Sequence, residues 1–327
     1  MHYRSLIESA IKQTWNHKYL WVLGFFAALL GNGGELNILI NTLASYSPPL
    51  SGPDYLPAIF QSPLIPTIAR SVWIMVSSPV EFITAGFIFL IASALTYTAL
   101  VSQAGIIHWA LGDHKNNESS LKQHIKAGIQ QSVRVISIHL VHIGIMLLCV
   151  SVIAFPIIGI FNLAGILSPQ LSVVIFATVL LPCGLISHAL RKFSIIALFT
   201  GKQHTLSALF SSFKLFSAHW KQTLECIALL LCASLALSFA YITALIVVLF
   251  PIASVGVVLM LLDMTTSGFI VLGATGIIAL LGLFLFGAFW ATCSHVVWVF
   301  CYKQLHHPIQ TKFKERIEHL LSFHISR

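Results

Sequence analysis

Long apolar runs follow one another along the chain, and several are entered through a short segment whose apolar positions recur at helical spacing. The clearest case begins at Thr205. Leu206, Leu209, Phe210, Phe213, Phe216 and Trp220 share one helical face, while Ser207, Ser211, Lys214 and Lys221 fall elsewhere, the pattern of an interfacial amphipathic helix. Beyond it, Thr223 to Phe250 holds Glu225 as its one formal charge. At 1.5 Å per residue that run is about 42 Å long, more than the ~30 Å hydrocarbon core of a bilayer, and it predicts a transmembrane helix.

The same arrangement recurs. Residues 3–17 set Leu6, Ile7, Ala10, Ile11, Thr14 and Trp15 largely opposite Arg4, Glu8, Lys12 and Asn16, and residues 119–133 set Leu121, Ile125, Ile129 and Val133 against Lys122, Gln123, Lys126 and Gln130. In the tail, 309–323 sets Phe313, Ile317, Leu320 and Leu321 against Lys312, Lys314, Arg316 and Glu318. Each predicts a helix lying on a membrane surface. Spans are expected at about 15–34, 79–111, 135–161, 171–190, 223–250 and 268–302. Gly31-Asn32-Gly33-Gly34 ends the first, because glycine tolerates the left-handed backbone of a helix stop. As an anion-binding nest the same residues are the weaker reading, and they lack the Gly-Lys-Ser/Thr ending of a P-loop. An outer loop, 35–78, follows. Its part from Ser45 to Pro66 holds six of the twelve prolines and cannot be a continuous helix, whereas Thr67 to Val76 reads as a short interfacial helix. Arg191-Lys192 is read as the stop of the fourth span, Pro251 to Ser267 as the last outer loop, and 303–327 as a tail. Small residues at intervals of four, Ala228, Cys232, Ala236, Ala240 and Ala244 in the fifth span, with Gly287 and Ala291 in the sixth, predict packing seams.

Charge tests this threading. The N-terminus holds three Lys or Arg, 112–134 four, 191–221 five and the tail five, leaving Arg70 alone on the other side. So large an asymmetry puts both termini in the cytoplasm. The pattern also contains a threefold repeat of basic segment, span, outer turn and returning span, echoed in Phe155-Pro156-Ile157 and Phe250-Pro251-Ile252.

Composition agrees with a membrane class and excludes others. Hydrophobic residues make up 57% and charged residues 9%, with a mean hydropathy of +0.90. An average soluble chain carries about 25% charged residues, so the expectation is one integral membrane domain over 1–327. The net charge of +8 fits topology and anionic headgroups, not nucleic acid. No CxxC pair occurs among the six cysteines, so neither a disulfide framework nor a thiolate zinc site is indicated. Arg4, Lys12 and Lys18 precede the apolar run Tyr19 to Leu30 as in a signal peptide, but no Ala-x-Ala pattern follows, so this is read as an uncleaved span.

Two stretches carry a resemblance. Trp15-Asn16-His17-Lys18-Tyr19-Leu20-Trp21, followed by Gly24-Phe25-Phe26-Ala27-Ala28 and Gly31-Asn32-Gly33-Gly34-Glu35, resembles the start of uncharacterised bacterial multi-pass membrane proteins. The alternation of amphipathic segments and hairpins is similar to the membrane domain attached to some glycerophosphodiester phosphodiesterases. In those fusions the chemistry belongs to a separate soluble barrel, and no catalytic residue carries over to this chain.

Candidate chemistry rests on histidine. Of fifteen histidines, His108, His139, His142, His188 and His295 fall in the expected spans, near their basic ends. His139 and His142, three apart on one face, and His295 at similar depth could ligate a divalent metal such as zinc or relay protons. The alternative is polar contact between helices without further duty. His108, His188, Glu81 and Glu225 are further candidates for a polar site, since ionisable groups in membranes are functional by default. No HExxH motif is present.

The fold expected is an all-α polytopic membrane protein with six transmembrane helices in three hairpins and amphipathic helices on the cytoplasmic surface. For function, the sequence favours a non-enzymatic protein contacting lipid or a membrane protein partner. A transporter or channel with a polar inner vestibule is the alternative, and a membrane-embedded metalloenzyme stands third. The charge asymmetry makes a first prediction: reporter fusions after Asn116, Gln203 and Arg327 report cytoplasm and one after Ser51 the exterior, and an external signal at Gln203 overturns the threading.

Overall fold

The computed structural model describes residues 3–29, 79–112, 121–154, 156–157, 169–201 and 204–325, with side chains described as far as His306 apart from most of 169–180. The Pro-rich loop, the 67–76 segment, the Gly31 to Gly34 stop, the 162–169 turn and the side chains of the 309–323 segment lie outside these. Eight α-helices are present among the described residues, and no strand: α1 (Tyr3–Asn16), α2 (Leu20–Ala28), α3 (Pro79–Leu111), α4 (Leu121–Cys149), α5 (Pro169–Gly201), α6 (Thr205–Ala218), α7 (Trp220–Leu261) and α8 (Thr265–Ile325). A π-helical turn, Val150–Ala154, continues α4. Five stretches are long and apolar enough to cross a membrane: Val80–Leu111, Leu121–Ile153, Leu181–Gly201, Trp220–Leu261 and Thr265–His306. The expected span 15–34 is described only to Leu29, where α1 and α2 form an elbow.

Several element boundaries differ from the sequence expectation, each for a local reason. The 119–133 segment and the third span are one continuous helix, α4, because nothing between Leu121 and Cys149 breaks the backbone ladder. Arg191-Lys192 does not stop α5, which runs on to Gly201. Pro251 does not end α7 either. Proline removes one ladder bond, the one its missing N–H would make to the Val247 carbonyl, and membrane helices tolerate that loss; α7 runs on to Leu261. The loop expected over 251–267 is instead a tight turn at Leu262–Met264. Met264 N–H reaches the Leu259 carbonyl at 3.0 Å and Asp263 N–H reaches Met260 at 3.2 Å, a Schellman closure with Asp263 at φ 59 in the position glycine usually takes. The hairpin of α7 and α8 is thereby long: 42 residues in α7 make about 63 Å, roughly twice a bilayer core.

Packing divides the molecule along its length. Val80 to Tyr97 of α3 is exposed at nearly every position, and α8 from Phe269 to Leu285 is exposed apart from a stripe that includes Leu272, Thr275 and Gly282. Farther along, the same helices are closed: Ala99 to Ile107, Ser187 to Ala189, Lys192 to Leu198 and Ala291 to Val299 are buried throughout. α3, α5 and α8 pack against one another here. Around them α1 docks on α8, the first half of α4 on α3, and α6 on α5. The expectation that 3–17 lays its apolar face on a bilayer is corrected by this docking: Leu6, Ala10 and Thr14 face the protein, while Trp15 is left 55% exposed. α6 is the converse case. Its buried side is Ala208, Ser212 and Leu215, and Leu206, Phe210 and Phe213 remain outside.

Close helix approach depends on small residues, and of those singled out above Ala291 is buried while most of the others are not. Ala228, Cys232, Ala236, Ala240 and Ala244 are exposed, and Gly287 meets nothing within 4 Å. The seam of α7 with α8 runs instead through Tyr241, stacked on Phe286 with ring centroids 4.4 Å apart, to Gly256 against Gly268. A Cβ on Gly24 would meet the Ala288 carbonyl and Thr292 Oγ1 of α8, and one on Gly128 would meet the Val101 carbonyl of α3. Gly24→Ala and Gly128→Ala are therefore expected to destabilise by about 1–3 kcal/mol through overpacking against backbone, read as a lowered Tm in detergent. Gly86→Ala and Gly144→Ala, where nothing lies within 4 Å, should leave Tm unchanged or slightly raised.

Candidate functional site

The closed end of the bundle is apolar in composition yet carries a polar centre. Each of α3, α5 and α8 contributes a buried serine followed by glutamine or histidine: Ser102-Gln103, Ser187-His188 and Ser294-His295. Lys192, on α5, is 0% exposed. Its Nζ stands 3.3 Å from His295 Nδ1. An ammonium only donates, so His295 accepts on Nδ1 and carries its proton on Nε2. One turn back along α5, Arg191 donates to His188 Nδ1 at 3.0 Å, and the His188 ring packs on Trp298 at 5.9 Å. Gln103 of α3 is buried on the side of that helix away from α4. Val101 and Gly105 face α4, and at 100° per residue Gln103 lies on the opposite side of α3, with Ile106 and Ala110. It is the Ala110 carbonyl, with that of Leu111, that Lys303 of α8 reaches at 3.0 and 3.2 Å, capping the end of α3.

The other polar residues surround this centre. His139 and His142 project from α4; Arg191 acts electrostatically on both, and Lys192 on His139. His142 Nδ1 donates to the Ile138 carbonyl at 2.9 Å. His108 sits farther toward the end of α3, its Nδ1 3.1 Å from His124 Nδ1 and its ring 6.0 Å from Phe199. Ser194 and Ser212 join α5 to α6 at 2.6 Å, and Thr292 donates to the Leu20 and Ala288 carbonyls at 3.3 and 2.9 Å. Glu81 and Glu225 are not part of the arrangement. Both are exposed, one at the start of α3 and one near the start of α7.

Of the five histidines singled out in the sequence, His295 meets Lys192 and His188 the adjacent Arg191, His139 and His142 lie within electrostatic reach of Arg191, and His108 belongs to a separate pair. Among the described residues no group of three or more His, Cys, Asp or Glu side chains could hold a metal ion. The expected set of His139, His142 and His295 fits a dication poorly for a physical reason. Lys192 occupies the Nδ1 side of His295, and Arg191 adds a second fixed positive charge beside His139 and His142.

Sequence reasoning missed Gln103, His124, Ser294 and above all Lys192. A signal for Lys192 existed: Arg191-Lys192 is followed by the apolar run Phe193 to Phe199, which a loop-starting charge pair would not precede. The fold and this centre together define an all-helical, membrane-embedded protein with a buried polar core at one end. Comparison with family models, curated proteins and solved structures yields no match that would extend that description.

Burial makes Lys192 sensitive. Lys192→Ala removes a long packed stem as well as the donor to His295, and a loss on the order of 3 kcal/mol is expected by analogy with large-to-small core changes. Exposed Lys214→Ala should change stability by less than about 0.5 kcal/mol, both read by thermal unfolding in one detergent.

Proposed function

We propose that this chain is a non-enzymatic integral membrane protein that engages lipid, a scaffold or accessory factor of a bacterial inner membrane with six spans and both termini cytoplasmic. One observation carries the reading: the apolar first half of α3 is exposed at almost every position and that of α8 over the faces that do not pack on α7, while the opposite end is closed by packed side chains. Exposed helices of that kind take acyl chains as their solvent. Where the chain turns polar, the first half of α4 leaves Lys122 and Lys126 outside, and α6 leaves Lys214 beside Phe210 and Phe213. Basic groups next to exposed aromatics suit anionic headgroups, at about 1 kcal/mol per Lys or Arg.

The buried polar centre favours transport as a second reading, since a carrier needs polar groups along its route. Against it stands the closure of that centre, where Gln103, Lys192 and His295 are each 0% exposed. Liposome reconstitution separates the two. A lipid-engaging scaffold should retain anionic lipid through purification, release it as salt rises, and pass no solute. Saturable flux lost on His295→Ala in folded protein establishes transport instead.

A further inference from the structure

The centre formed by α3, α5 and α8 holds more hydrogen-bond donors than the described structure uses. His295 is fully buried, and with Nδ1 accepting from Lys192 its Nε2–H finds no partner among the described residues. Gln103 is likewise 0% exposed, and neither atom of its carboxamide is hydrogen-bonded. Ser294, beside His295 in the chain and 1% exposed, leaves its hydroxyl in the same condition. Buried polar groups are paired in the great majority of native proteins, so several unmatched in one layer point to a ligand.

The groups share a depth. α3, α5 and α8 each pass from exposed to buried in the same chain direction. Lys303 caps α3 at Ala110 and Leu111, and Gln103 and His295 each lie eight residues, about 12 Å, before Leu111 and Lys303. Lys192 bonds to His295 directly, and Phe199, seven residues on in α5, packs on His108 of α3.

Sign and size follow from chemistry. An ammonium, an imidazole N–H, an amide NH2 and a hydroxyl are all able to donate, and the carboxylates whose side chains are described, Glu8, Glu81, Glu225 and Asp263, are exposed. Such a set receives negative charge, in a low-dielectric interior where the interaction is strong. Full burial of these groups disfavours a larger, more strongly hydrated oxyanion and suits a compact monovalent ion. We propose that Gln103, Lys192, Ser294 and His295 form a binding site for a small monovalent anion of halide size at the junction of α3, α5 and α8. This goes beyond the lipid-engaging reading and does not depend on it.

The test uses the full chain purified in detergent without added lipid and dialysed to equilibrium against sodium bromide in a gluconate buffer, with inorganic phosphate as a competing arm. Stoichiometric, saturable bromide binding is expected, undisturbed by phosphate and abolished in Lys192→Met. Gln103→Leu, which leaves every charge in place, should weaken bromide on the order of tenfold through loss of one charge-assisted hydrogen bond, and it decides the matter if Lys192→Met fails to fold by circular dichroism. Absence of bound bromide in folded protein, binding indifferent to Gln103→Leu, or displacement by phosphate overturns the site. Since neither lipid retention nor solute flux is read, any of these failures leaves the lipid-engaging reading standing.

Discussion

One helix segment has to be solvated entirely by protein, and the rest of the bundle is arranged to do it. Between Ala288 and Tyr302, α8 is buried at almost every position, and α1, α2, α3, α5 and α7 all pack on α8. A helix enclosed on all sides cannot be amphipathic; it must be mainly apolar around its circumference, and its polar exceptions call for partners from neighbouring elements. Thr292 answers to backbone at Leu20 and Ala288, and His295 answers to Lys192. The approach of α2 is close enough that Gly24 is the residue its position requires.

Aromatic packing fixes the α1–α2 elbow on the same segment. Trp15 and Trp21 both meet Phe289, with ring centroids 6.0 and 5.5 Å away, and Trp21 Nε1 donates to the Thr14 carbonyl at 3.0 Å. The elbow thereby links the first helix of the chain to the last. In the other two units the equivalent docking is local: α4 on α3 through Gly128, and α6 on α5 through Ser212 and Ser194. A segment at the head of each unit packs on a helix of the unit before it, and α1 on α8 completes the circuit. These three contacts, α4 on α3, α6 on α5 and α1 on α8, flank the packing of α3, α5 and α8 on one another.

That polar centre and the exposed far halves make opposite demands on the bilayer. Exposed apolar helix costs nothing in lipid, whereas a buried ammonium is tolerated only with hydrogen-bonding partners close at hand. Concentrating the polar groups at the densely packed end keeps them away from acyl chains. It also places the least deformable part of the molecule at the end where the basic surface residues Lys122, Lys126 and Lys214 lie.

The membrane class, the α-helical fold and the position of the second span, expected at 79–111 and found at Pro79–Leu111, are determined by the sequence alone, because hydropathy measures transfer out of water and that transfer is the same whether lipid or protein receives the side chain. For the same reason hydropathy could not tell which apolar faces meet lipid. Leu6 and Ala10 face α8, and the alanines of α7 at 228, 236, 240 and 244 face outward, although both sets fit an interface equally well by pattern. Arg191-Lys192 was legible as charge but not as burial, since only the convergence of α3, α5 and α8 creates a place where Lys192 can be desolvated against His295. The histidines could be recognised as a group near the basic ends of the spans, yet their division into His295 against Lys192, His188 against Arg191, two on α4 and a separate His108–His124 contact is decided by helix rotation, which a one-dimensional pattern of apolar residues does not encode where every face is apolar.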